Sequence, residues 1–84
     1  MMHPVVKQFW EESERGWGVR PDGYTLHLTE ADRVKFIKAF EASQPDAVPD
    51  EYSRPSGSPT VTDVSDAVYK ELQRAKRKHG IWKR

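Results

Sequence analysis

The sequence predicts an α+β fold: a small antiparallel sheet of about four to five strands, built on a central hairpin and covered on one face by two helices. Three observations carry that reading. Trp17–Leu28 holds a turn signal between two strand-like arms. Two later stretches repeat apolar residues at helical spacing behind good capping residues. Thr60–Val64 alternates β-branched residues as a strand does.

The N-terminal stretch is ambiguous. Val6, Phe9 and Trp10 fit a helix that Pro4 would open, yet Val5-Val6 and Phe9-Trp10 fit a strand equally well. The strand is preferred, because it turns through Ser13–Gly16 into the hairpin and completes a meander of three. In the hairpin, Pro21 presets φ at the first turn corner, Asp22 suits the second, and Gly23 tolerates the left-handed residue that follows. A three-residue loop of this kind pairs Arg20 with Tyr24. Tyr24, Leu26 and Leu28 then share one face. Trp17, Val19, Thr25 and His27 share the other, which is either a second buried face or an exposed aromatic patch.

Thr29 is positioned to cap a helix from about Glu30 to Ala42, with Glu30 and Asp32 in the first turn, where the helix dipole favours acids. Val34, Ile37 and Phe40 recur at three-residue steps, with Phe36 beside them. Residues 44–59 hold Pro45, Pro49, Pro55 and Pro59 and have no periodicity. They read as a long Pro-rich loop, pinned by Val48 and Tyr52. After the strand at 60–64, Ser65 caps a second helix reaching His79. Val68, Leu72 and Ala75 form its inner stripe, Tyr69 flanks it, and Gly80 lies just past its end. Ile81-Trp82 reads as a final strand.

With 84 residues the chain is one domain, 1–84, whose compact core gives marginal stability. No run approaches a membrane span or a signal peptide, and there is no cysteine. A small secreted domain usually needs disulfides, so the expected compartment is the cytoplasm. Net charge is only +1, but it is unevenly spread. Residues 68–84 carry seven basic groups against one acid, whereas residues 28–67 carry four against eight.

The run Trp17-Gly18-Val19-Arg20-Pro21-Asp22-Gly23-Tyr24-Thr25-Leu26-His27 and the run Pro49-Asp50-Glu51-Tyr52-Ser53-Arg54-Pro55 resemble a group of short bacterial and phage or prophage proteins. The likeness covers roughly residues 9–65. It implies a bacterial or phage origin and brings no activity, cofactor or site residue with it.

Catalytic chemistry finds little foothold. The three histidines, His3, His27 and His79, match no metal-ligand spacing, and there is no thiolate, so no metal or cofactor is expected. Each serine sits in a turn, loop or cap context, and none forms a nucleophile elbow. His27, near Asp22, Glu30 and Asp32, is the sole general acid–base candidate. Those acids serve the turn and the helix start equally well.

Two surfaces remain. The first joins Trp17, Val19, Arg20, Tyr24 and His27 at the hairpin with Tyr52 from the loop. Trp, Tyr and Arg dominate binding hot spots, although a Trp in so small a domain is often simply core. The second is the basic helix and tail at 66–84: Lys70, Arg74, Arg77, Lys78, Lys83 and Arg84, with Trp82 available to stack on a base. Against nucleic acid stands a solvated face whose last-turn cations complement the helix end, and an overall pI near 8.0. The sequence therefore reads as a non-enzymatic module binding an unidentified protein, monomeric or homodimeric and away from membranes, with nucleic acid the alternative partner.

Overall fold

The computed structural model describes residues 1–14, 18–44 and 51–84. Its elements are β1 (Met2–Glu14), β2 (Gly18–His27), α1 (Glu30–Ser43), β3 (Glu51–Ser65), α2 (Asp66–Arg74), a 3₁₀ turn (Lys76–Lys78) and β4 (Ile81–Lys83). The strands form one antiparallel four-stranded sheet in the order β3-β1-β2-β4. The α+β class, the strand reading of the N-terminus and the sheet covered by two helices are all as expected. No helix among the described residues is long and apolar enough to cross a membrane.

The central hairpin is present, but it is displaced. β1 pairs with β2, and their link falls at 15–17, outside the described residues. Pro21-Asp22-Gly23 does not turn the chain, and Arg20 does not pair with Tyr24. Because β1 continues to position 14, it offers partners to both arms, Pro21 to Glu11 and Tyr24 to Phe9. Gly23, at φ 81°, absorbs the surplus as a β-bulge opposite Trp10. The bulge also reverses the alternation, so Val19 joins the face of Tyr24 and leaves that of His27.

Most of the expected Pro-rich loop is strand. β3 begins at Glu51 and runs through Pro55 and Pro59, while 45–50 lie outside the described residues. Prolines are tolerated because β3 is an edge strand, pairing with β1 alone. Between Thr60 and Ser56 the ladder slips against Lys7 and Phe9. The buried amide of Gln8 fills the gap, its Nε2 donating to the carbonyls of Ser56 (3.2 Å) and Gly57 (3.1 Å).

The helices cap as their sequences ask. Thr29 Oγ1 accepts from the Asp32 amide at 3.1 Å, and Ser65 Oγ from the Val68 amide at 3.4 Å. α2 ends at Arg74, short of the expected His79. The 3₁₀ turn follows, and His79 takes the left-handed conformation at φ 62°.

The helices lie on opposite faces of the sheet, and here the expected single-face arrangement fails. Leu26 and His27 are adjacent in β2 and so point to opposite sides. Leu26 joins Val5, Val64 and Leu72 of α2 in one core, with Val68 and Tyr69 packed against it. His27 meets Phe36 of α1, with ring centroids 5.1 Å apart. On that second side Trp10 is fully buried against Phe40 (5.0 Å) and Trp82 (4.9 Å). A sheet this thin, with apolar residues on both faces, needs a cover on each. Of the apolar residues that recur along α1, Phe36 and Phe40 make the contact with Trp10, whereas Val34 is exposed.

Candidate functional site

Beyond the end of α2 the sheet continues as a three-stranded arm of β3, β1 and β2. One face of this arm carries three transverse rows. Register places Ser56, Phe9 and Tyr24 in the first, Arg54, Glu11 and Pro21 in the second, and Tyr52, Ser13 and Val19 in the third. Phe9 and Val19 are each 48% exposed. Between them opens a groove of about 420 Å³, lined among others by Phe9, Val19, Arg20, Pro21 and Tyr24.

The walls of the groove are held by defined contacts. Phe9 and Tyr24 meet edge to face at 6.2 Å, and the Lys7 ammonium lies 4.8 Å and 4.2 Å from their ring centres. Arg54 Nε donates to Glu11 Oε1 at 2.5 Å, and its Nη1 donates to the Tyr52 hydroxyl at 3.3 Å. These bonds raise the Arg54 pKa and keep it cationic. Arg20 donates to Glu12 Oε2 at 3.0 Å.

The structure thus gathers four of the six hairpin candidates, Val19, Arg20, Tyr24 and Tyr52, and adds Phe9 and Pro21. Phe9 escaped the sequence reading because only the long pairing of β1 with β2 brings it beside Tyr24. Trp17 lies outside the described residues. His27 does not belong to this surface. It is fully buried on the opposite face, since the bulge separates its parity from that of Val19.

His27 is instead the centre of a hydrogen-bonded chain. Its Nδ1 lies 2.8 Å from the His79 carbonyl, which can only accept, so Nδ1 carries the proton. Nε2 then accepts from the Thr25 hydroxyl at 2.7 Å, and Thr25 Oγ1 accepts from Trp10 Nε1 at 2.8 Å. Desolvation lowers the His27 pKa below its ordinary 6.5, only partly opposed by the His79 carbonyl, and nearby Arg33 adds to the depression. The ring is neutral and fully engaged, with no free nitrogen to offer a substrate. Asp22, the expected neighbour in acid–base chemistry, instead accepts from Ser53 Oγ and from Arg84 Nη1, each at 2.8 Å. Among the described residues no three His, Asp or Glu side chains converge as a metal site would require.

The basic tail divides in two. Lys83 donates to Glu71 (3.1 Å), and Arg84 bonds Asp22 while lying 5.2 Å from the Trp82 ring. The Trp82 ring is enclosed by Trp10, Phe40 and Arg84 and is not free to stack on a base. Lys70, Arg74, Arg77 and Lys78 remain exposed. The tail separates because β4 pairs with β2, which brings Trp82 and Lys83 against the sheet and Arg84 within reach of Asp22. No protein-family model matches the chain, and neither a curated protein nor a solved structure matches it.

Proposed function

We propose that the chain is a small non-enzymatic protein-binding module of bacterial or phage origin, docking through the uncovered face of its three-stranded arm. The observation that carries this reading is the groove between Phe9, Val19, Pro21 and Tyr24, left bare where α2 ends. A small domain gains nothing in its own stability from exposing a phenylalanine and a valine on one face of its sheet. Exposed apolar clusters with a charged rim are the usual form of a docking surface. Arg54 and Tyr52, in the neighbouring rows of the same face, add residue types that anchor interfaces. His27, the one acid–base candidate, is taken up by its own hydrogen bonds.

The test is affinity capture from bacterial lysate after nuclease treatment, with the wild type and Val19→Asp compared at equal concentration. A protein retained by the wild type and lost with Val19→Asp supports the reading. Retention of the same protein by both forms, or of none by the wild type, overturns it. Concentration-dependent mass in the purified chain, abolished by Val19→Asp, identifies the partner as a second copy.

A further inference from the structure

We infer that the corner formed by the end of α2, the 3₁₀ turn and β4 is a second binding site, one that takes a single-stranded nucleic-acid segment with its phosphates on the cations and one base in the adjoining groove. Three observations converge there, and none involves the arm.

The first is which charges the fold leaves uncompensated. Arg33, Arg54, Lys83 and Arg84 each meet a carboxylate. Lys70, Arg74, Lys76, Arg77 and Lys78 are all exposed, and among the described residues none forms an ion pair. Five free cations within nine residues make a local positive field that the overall charge of +1 conceals.

The second is a cavity of about 540 Å³ between the two helices at the β4 edge. Arg74 and Lys78 line it together with Glu71, whose carboxylate is engaged by Lys83 at 3.1 Å, and Phe36, Ala75, Ile81 and Trp82 supply its apolar part. That volume accommodates one base. A cation rim around an apolar floor suits a ligand that is anionic along its length and flat and weakly polar at its side. The third is the enclosure of Trp82, whose ring faces are covered and only part of which reaches the groove. A base would therefore seat against the floor and not intercalate. Bases in a duplex are paired and stacked and cannot enter such a recess, so the site selects single strands.

The experiment is fluorescence anisotropy of the full chain with a labelled 12-mer of deoxythymidine at low salt. The comparison probes are the corresponding duplex and an abasic 12-mer with the same phosphates. Arg74→Glu with Lys78→Glu is expected to weaken binding about tenfold or more, and to flatten the dependence of log K on log salt by roughly one to two. Lys35→Glu with Lys38→Glu makes the same charge change on exposed residues of α1 and is expected to weaken binding far less. The abasic strand and the duplex are expected to bind several-fold more weakly than the 12-mer. No binding at low salt, equal losses in the two variants, or equal affinity for the abasic strand would overturn the inference. Val19→Asp leaves this site intact, so the result is independent of the docking face on the arm.

Discussion

The hydroxyl of Thr25 donates to Nε2 of His27 at 2.7 Å while accepting from Trp10 Nε1 at 2.8 Å, so one small side chain joins the central hairpin to the aromatic core beneath α1. Thr25→Val keeps the shape and removes both bonds, leaving the Trp10 N–H and the His27 nitrogen buried without partners. Each unsatisfied group costs about 1–3 kcal/mol. Urea denaturation should show a clear loss of stability with an unchanged denaturant slope, and a change below about 0.5 kcal/mol would mean that the chain is not formed in solution.

The same histidine sets a dependence on pH. Burial holds folded His27 below its ordinary pKa of 6.5, so the unfolded chain takes up the proton first as pH falls. This contribution to stability is complete above about pH 6.5 and declines below it, towards the folded value. Protonation would also put a hydrogen on Nε2, facing the Thr25 hydroxyl hydrogen. Thermal denaturation from pH 7.5 down to 5 should show Tm falling more steeply for the wild type than for His27→Gln. Parallel curves would exclude His27 as the source.

Two glycines with positive φ should respond differently to alanine. At Gly57, φ 73°, a Cβ meets open space, and only the backbone conformation opposes it, at about 1–2 kcal/mol. At Gly23, φ 81°, the Cβ would also strike the Lys83 carbonyl and lie 3.2 Å from Arg84 Cα. Gly23→Ala should therefore cost more, by about a further 1–3 kcal/mol, and should loosen β4. Hydrogen exchange at Ile81–Lys83 is the discriminating readout: faster exchange in Gly23→Ala alone is expected.

Gln8 supports the kink of β3 from one side and α1 from the other. Its Nε2 serves the carbonyls of Ser56 and Gly57, while its Oε1 accepts from Arg33 Nη1 at 3.0 Å. Gln8→Leu should destabilise the fold by about 2–4 kcal/mol, since it removes a donor from the carbonyls of Phe9, Ser56 and Gly57 and an acceptor from the Arg33 guanidinium. Chemical-shift changes should appear together in residues 56–59 and around Arg33. Changes confined to one of those segments would contradict the link.

The helix caps and the α2 stripe were legible because each depends on a few neighbouring residues. Thr29 and Ser65 cap in isolation, and Val68 with Leu72 marks an inner face whatever the partner. The arm face was half legible. Val19, Arg20, Tyr24 and Tyr52 were named from residue type, but Phe9 joins them only through a pairing that spans fifteen positions. His27 keeps the face that alternation predicts, with Thr25 and opposite to Tyr24 and Leu26, and that face is the second buried one. Val19 parts from it because a single bulge at Gly23 reverses the parity of β2 without leaving a mark that distinguishes it from a turn.

By itself, then, the sequence determined the α+β class, the order of strands and helices after Leu28, the capping residues and the uneven charge of the C-terminus. These follow from local conformational preference and from periodicity, both of which act over a few residues. Tertiary structure decided which side of the sheet each helix covers, whether Pro21-Asp22-Gly23 turns or bulges, and which tail cations remain free. Those outcomes rest on competition between distant partners. β1 had to run on to Glu14 before Pro21 could find Glu11, and β4 had to pair with β2 before Lys83 and Arg84 could reach Glu71 and Asp22.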